Sequence, residues 1–167
     1  RLERFVPPRK GFDHALSILR DVLVQPMEGT RTDLGLALKT AASLLKQRSV
    51  VFVLSDFLAA DYEKPLKILR RRHDVVAMPI TDPLETTLPD RGLVRLRDAE
   101  TGLARVFDAG DPAFRAAWKR RGRPFPDPVE VFRASGIDSV PLTTDAPYER
   151  ALVRFFKERE RRRSAGR

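Results

Sequence analysis

The chain has 167 residues, of which 42% are hydrophobic, enough to form one domain with a buried core and too many for a disordered tail. It contains no cysteine and only two histidines, which excludes disulfides, thiolate nucleophiles and metal cages rich in these residues. The 32 basic and 23 acidic residues give a net charge of +9, and residues 154–167, with seven basic and two acidic side chains, contribute most of it.

The first predicted elements are a short strand and two helices. Residues 2–6 alternate apolar and charged side chains before two prolines, which indicates a strand. Residues 12–24 and 33–47 repeat apolar side chains at helical spacing, which predicts two amphipathic helices. Either Thr32 or Asp33 is expected to be the N-cap of the second helix.

The middle of the chain predicts a β–α–β unit. Residues 49–55 are apolar and rich in β-branched side chains, typical of a strand buried in a parallel sheet. Residues 62–72 return to helical spacing, and residues 74–81 form a second apolar run. We therefore expect two neighbouring parallel strands joined by a helix.

The remaining residues predict a hairpin followed by further helices and a strand. Residues 92–97 and 103–107 flank a short turn, which favours an antiparallel hairpin. A proline-rich stretch interrupts the next helix. The elements expected after the hairpin are helices at 112–121 and 129–134, a strand at 137–142 and a helix at 148–163.

A hydroxyl and a carboxylate follow each of the three predicted parallel strands. Because ligands bind at the carboxyl ends of strands in open α/β sheets, we expect these pairs to share one edge. Oxygen donors of this kind suit Mg²⁺ or Mn²⁺, although each pair could instead cap the next turn or helix. The pairs are Ser55 with Asp56, Thr81 with Asp82, and Thr144 with Asp145.

Five ordered motifs resemble the DUF58 family, whose domain is similar to the von Willebrand factor type A fold. The resemblance extends from the first residue through Phe156, which is nearly the whole chain. The motifs are PPRKG at residues 7–11, GTRTDL at 29–34, RSVVFVLSDF at 48–57, RHDVV at 72–76 and TDP at 81–83.

The resemblance implies a doubly wound, mostly parallel α/β sheet of the von Willebrand A type, with an antiparallel hairpin inserted. Residues 1–167 would form a single domain that ends in a basic segment at 157–167. It also implies a metal-ion-dependent adhesion site for Mg²⁺ or Mn²⁺, in which Thr32 and Asp56 match the family's threonine and aspartate ligands. Asp33 and Asp82 would be neighbours at its rim.

The D-x-S-x-S motif that supplies the other ligands of such sites is absent from the sequence. The chain begins with Arg1, and we expect it to be a truncated domain that lacks its first strands. Its affinity for metal would then be weak or absent. The strand at 49–55 would also lose a neighbour and expose an apolar edge, through which we expect the chain to associate with itself or to rearrange.

The resemblance implies a non-enzymatic protein–protein interaction module, and the absence of cysteine fits a reducing compartment, so the expected location is the cytoplasm. Proteins of the DUF58 family travel with MoxR-type AAA+ ATPases, so the expected partners are such an ATPase and a client that it assembles or activates. No nucleotide-binding or nucleophile-elbow motif is present, and no apolar run approaches the length of a membrane span. The alternatives are a nucleic-acid-binding protein that uses the arginine-rich C-terminus, and a metal-dependent hydrolase on the same carboxylate edge.

His73 and Asp74 form a His-Asp pair like that of metal-dependent phosphohydrolases. Such sites need further histidines, and the sequence offers one more, His14. We therefore expect His73 to be a surface residue at the start of a strand.

Overall fold

The computed structural model describes residues 4–24, 32–85, 87–98, 101–121 and 127–165. A mostly parallel sheet and a separate antiparallel hairpin make up its β-structure. The helices are α1 Phe12–Val24, α2 Leu34–Leu44, α3 Glu63–Arg72, α4 Pro112–Arg121, α5 Pro128–Ala134 and α6 Tyr148–Ala165. The strands are β1 Val50–Ser55, β2 Asp74–Thr81, β3 Leu93–Arg97, β4 Ala104–Asp108, β5 Asp138–Ser139 and β6 Leu142–Thr143.

Strand β2 is the centre of the parallel sheet. It pairs with the whole length of β1, from Val50 beside Asp74 to Ser55 beside Pro79. On its other side it pairs with the short strands β5 and β6. The predicted β–α–β unit is confirmed, because α3 connects β1 to the parallel neighbour β2.

One face of the sheet is covered by α2, α3 and α5, and the main core lies there. The Phe57 and Phe132 rings meet at 4.8 Å between centroids, and both side chains are fully buried. Burying side chains of this size contributes about 2–3 kcal/mol each, which makes this layer the main source of stability. The other buried members of the cluster are Leu34, Leu38, Val53, Tyr62, Leu66, Leu69, Val75, Ala77, Val131 and Ile137.

The opposite face carries one helix, α6. Its residues Ala151, Leu152 and Phe155 pack against Val76 and against neighbouring residues of the central strands. The helix leaves β1 largely uncovered, since three apolar side chains of β1 stay between 42% and 58% exposed. These are Val50, Phe52 and Leu54.

The hairpin of β3 and β4 packs against α4 through aromatic rings. Phe107 stacks on Phe114 with centroids 4.7 Å apart and planes 10° from parallel. The Arg115 guanidinium donates to the carbonyls of Pro89 and Ala109, at 2.8 and 3.0 Å. The hairpin prediction is confirmed, because β3 and β4 pair with each other in antiparallel orientation.

Three of the expected element bounds are wrong. A strand was expected at residues 2–6, and the described part of it, residues 4–6, is not a strand. Arg4 forms a salt bridge with Asp21 of α1 instead. Helix α2 ends at Leu44, three residues early. The strand expected at 137–142 is split into β5 and β6, because Pro141 has no N–H to continue the ladder. The proline-rich residues 122–126 lie outside the described residues.

Candidate functional site at the carboxyl edge of the sheet

The three hydroxyl–carboxylate pairs lie at one edge of the sheet, as the sequence predicts. Strands β1, β2 and β6 are parallel, so their carboxyl ends point the same way. The second and third pairs are directly joined, because the Thr144 N–H donates to the Thr81 carbonyl at 3.1 Å. The Thr81 hydroxyl in turn lies 3.4 Å from the Leu142 carbonyl that accepts from it.

Asp56 stabilises the turn that follows β1. Its Oδ1 accepts from the Leu58 N–H at 3.1 Å and from the Ser55 hydroxyl at 3.4 Å. The Ser55 hydroxyl also accepts from the Phe57 N–H at 3.0 Å. The carboxylate is exposed, so one oxygen shapes the turn while the group as a whole faces solvent.

The loop after β1 has an unusual backbone. Phe57 and Asp61 have φ values of 56° and 59°, in the left-handed region that residues with a side chain rarely adopt. Phe57 is held there by burial, since its ring contacts Phe132 and Tyr62 at 4.8 and 5.3 Å between centroids. The core thus fixes the shape of the loop that carries Asp56, and such strained loops often occur at binding sites.

The loop that carries Thr32 adjoins the loop after β1. Asp33 is the N-cap of α2, because its Oδ1 accepts from the Leu36 N–H at 2.8 Å. Thr32 is exposed and lies outside this cap. At Gly35 a Cβ would stand 3.2 Å from the Asp61 carbonyl, so α2 begins in close contact with the loop. This contact places Thr32 and Asp56 on two neighbouring loops.

The predicted metal ligands do not form a complete site within the described residues. No group of three or more histidine, aspartate or glutamate side chains in that part of the chain could hold a metal ion. Asp82 uses Oδ1 to accept from the Leu84 N–H at 2.8 Å, which caps a short 3₁₀ turn. Thr32 and Asp56 offer two side-chain donors, whereas Mg²⁺ requires six ligands. Within the described residues these two side chains are therefore too few to fill a magnesium shell.

At the opposite end of the sheet, an arginine bridges two strands. This role was not predicted from the sequence. The Arg159 Nη2 lies 2.6 Å from both carboxylate oxygens of Asp74, and its Nε lies 3.2 Å from Asp138. Arg162 contacts Asp138 at 3.2 Å. Spacing could have indicated this role, because Arg159 lies one turn after Phe155 on the packed face of α6.

The nucleic-acid and hydrolase alternatives stay predictions.

Two buried polar side chains lie near these elements. Burial raises the pKa of the Tyr62 hydroxyl from 10.0 to about 12, with smaller contributions from the charges of Glu63 and Asp127, so Tyr62 stays protonated at neutral pH. His73 is 2% exposed, which corrects the expected surface position. It is the C-cap residue of α3, directly before β2, and its Nδ1 accepts from the Ser49 N–H at 3.4 Å.

None of the helices that the structure describes combines the length and the apolar composition needed to cross a bilayer. The cytoplasmic location stays a prediction.

The chain is similar to mycobacterial proteins. The family model described as "Protein of unknown function DUF58" matches residues 1–124. "Uncharacterized protein Rv1480" of Mycobacterium tuberculosis and "Uncharacterized protein Mb1516" of Mycobacterium bovis are each 34% identical over 165 residues, covering 96% of this chain and 52% of the relative. "Uncharacterized protein MAV169" of Mycobacterium avium is 35% identical over 169 residues, covering 97% of this chain and 98% of the relative.

The chain thus spans about half the length of the first two relatives and nearly all of the third. No solved structure matches it.

Proposed function

Because this chain belongs to the DUF58 family, we propose that it is a non-enzymatic protein–protein interaction module with a von Willebrand A-like fold. Its partner is a MoxR-type AAA+ ATPase, and its role is the assembly or activation of a client protein. The contact between Gly35 and Asp61 carries the proposal, since it brings the loops of Thr32 and Asp56 together at the ligand-binding edge of a parallel sheet.

The chemistry of this edge suits binding. Its carboxylates at Asp56, which is exposed, and Asp82, which is half-buried, accept from backbone N–H groups and hold turns in place, so the edge presents oxygen donors on fixed turns. In the proposal Thr32 and Asp56 supply two ligands to Mg²⁺ or Mn²⁺. The other ligands are water and a carboxylate of the partner, and the cation would hold the two proteins together.

This division of ligands explains why the chain alone is expected to hold the cation weakly. Two donors leave most of the coordination shell to water, which a partner carboxylate can displace. The same division makes the contact dependent on both proteins, as an assembly factor requires.

The test is the affinity of the chain for a MoxR-type AAA+ ATPase, measured in Mg²⁺ for the parent chain and for Thr32→Ala and Asp56→Ala. We expect each substitution to weaken binding about tenfold or more, because each removes one of the two metal ligands that the chain supplies, a carboxylate at Asp56 and a hydroxyl at Thr32. The matched control is Asp90→Ala, since the Asp90 carboxylate is 99% exposed and meets Arg115 at 3.5 Å, on the hairpin side. Equal affinity for all four proteins would contradict the proposal.

A further inference from the structure

A groove lies between α6 and the segment that joins β5 to β6. It encloses about 470 Å³, a volume typical of ligand-binding sites. The order of the parallel sheet is β1-β2-β5, so the groove lies on the other side of β2 from β1. The strand that we expect upstream, beside β1, would therefore lie at the opposite edge of the sheet from this groove.

Apolar side chains form most of the lining. Val140 is 4% exposed, and Ala151 and Phe155 of α6 pack against the cluster that contains it. Pro141 and Pro147 line the groove at exposed positions, where their rings restrict the backbone. An apolar side chain that enters this groove would be removed from water, which favours binding.

Two exposed arginines, Arg150 and Arg154, line the groove one turn apart on α6. Arg154 meets Glu158 at 3.5 Å, in an exposed pair of the kind that contributes about 1 kcal/mol or less. Arg150 has no ion-pair partner in the part of the chain that the structure describes. It is the third residue of α6, where a cation opposes the helix macrodipole. Stabilisation of the helix therefore does not explain Arg150, whereas an anionic ligand would.

Strand β5 offers main-chain groups beside the groove. The Val140 N–H donates to the Ala77 carbonyl at 2.8 Å, so the N–H and C=O groups of Ser139 are directed away from β2. Ser139 lines the groove, and no described strand pairs with β5 on that side. Main-chain groups of this kind bind extended peptides as an added strand is bound.

We propose that this groove binds an extended acidic segment of a partner protein. One apolar side chain of the segment enters the groove, and neighbouring carboxylates contact Arg150 and Arg154. From Arg150 to Glu158 the helix rises about 12 Å, the length of about four extended residues. Glu158 would repel an acidic side chain, so the carboxylates lie toward the start of α6.

The groove shares no residue with the proposed metal contact at Thr32 and Asp56. The inference therefore goes beyond the proposed function and does not rest on it.

Fluorescence anisotropy with a labelled octapeptide tests the recognition. The probe carries Asp-Glu-Leu-Thr between two Gly-Ser pairs, and it is titrated with the parent chain in EDTA, which removes any contribution from metal. One control peptide carries Asn-Gln-Leu-Thr and the other Asp-Glu-Gly-Thr. We expect each control to bind about tenfold or more weakly, because the first lacks the charges and the second lacks the apolar side chain.

Substitutions in the chain test the site. Arg150→Glu should weaken binding of the acidic peptide about tenfold or more, because like charges then face each other. Lys39→Glu is the matched control, since it makes the same change of charge at an exposed position of α2, on the opposite face of the sheet. Its affinity should stay within about twofold of the parent's, because salt screens a distant charge. Circular dichroism checks that each variant is folded.

A groove-filling substitution tests the location without changing the charge. Ala146→Trp places a large side chain at an exposed position that lines the groove. It should abolish binding of the acidic peptide. In the parent chain, titration followed by amide chemical shifts should move the signals of Ser139 and Ala151 and leave those of the β3–β4 hairpin in place.

An acidic peptide that shows no binding at several hundred micromolar chain would overturn the proposal. Equal affinity for the Asn-Gln peptide would do the same, as would equal affinities of Arg150→Glu and Lys39→Glu. An octanucleotide that displaces the peptide at equal concentration would assign the arginines to nucleic acid instead. A dimer of the parent chain that Ala146→Trp dissociates would assign the groove to a second copy. Either result contradicts a peptide site.

Discussion

Arg159 of α6 donates from one nitrogen to both carboxylate oxygens of Asp74, the first residue of β2, at 2.6 Å each. The same guanidinium reaches Asp138 of the neighbouring strand β5 at 3.2 Å. Two carboxylates at the amino ends of adjacent strands would repel each other, and Arg159 contacts both and offsets this repulsion, with Arg162 as a second cation beside Asp138. The contact fixes the end of α6 over the sheet.

Arg159→Ala is expected to lower the free energy of unfolding by about 1–3 kcal/mol, because it leaves Asp74 and Asp138 without their shared cation. Urea denaturation monitored by circular dichroism measures the change. Arg154→Ala is the control on the same helix, since Arg154 is 84% exposed and meets Glu158 at 3.5 Å. It should change stability by about 0.5 kcal/mol or less. Equal losses in the two variants would rule out the bridge.

Asp33→Ala and Thr32→Ala separate capping from binding. Loss of the Asp33 cap on the Leu36 N–H should cost about 1 kcal/mol of stability. Thr32→Ala should leave thermal unfolding unchanged, since Thr32 lies outside the cap. Differential scanning calorimetry of both variants provides the comparison, and a larger loss at Thr32 would reverse the assignment of the two residues.

The β–α–β unit at the centre of the sheet was predictable because its signals are local. The continuous apolar runs that became β1 and β2 have few other interpretations, and the helical spacing at α1 gave its bounds, Phe12–Val24, to the residue. That spacing did not predict packing. No residue of α1 is buried, and Leu23 is 83% exposed, because periodicity reports an apolar face and not its partner.

The candidate site was only partly predictable for the same reason. Strand ends identified Asp56 and Asp82, but the contact that brings the Thr32 loop close runs through Gly35 and the Asp61 carbonyl. A backbone approach of that kind has no signature in a single sequence. The same holds for His73, which is buried and accepts a hydrogen bond from the backbone of Ser49, 24 residues earlier in the chain.

Phe132→Ala should be the most destabilising of these substitutions, with a loss of about 3–5 kcal/mol. Its side chain is fully buried against Phe57, so truncation opens a cavity and releases the support of the loop after β1. Val129→Ala on the same helix, 39% exposed, should cost about 1 kcal/mol or less. Chemical denaturation compares the two, and similar costs would mean that α5 does not anchor the core.

Tyr62→Phe should flatten the alkaline loss of stability. The unfolded tyrosine ionises with a pKa of 10.0 and the folded one at about 12, so stability is full below about pH 10 and falls as the pH rises toward 12. Denaturation at a series of pH values should show this fall in the parent chain and a smaller one in the variant. Tyr148→Phe, at an exposed position, is the control and should keep the parent's profile.

The metal dependence of ATPase binding tests the central claim most directly. The affinity of the parent chain for the MoxR-type ATPase would be measured in Mg²⁺, in a chelator, and after Mg²⁺ is returned, with a non-hydrolysable nucleotide already bound to the ATPase. The account predicts about a tenfold or greater loss in the chelator, full recovery with Mg²⁺, and no metal response in Asp56→Ala. An affinity that is unchanged by the chelator would contradict a metal-bridged contact at this edge.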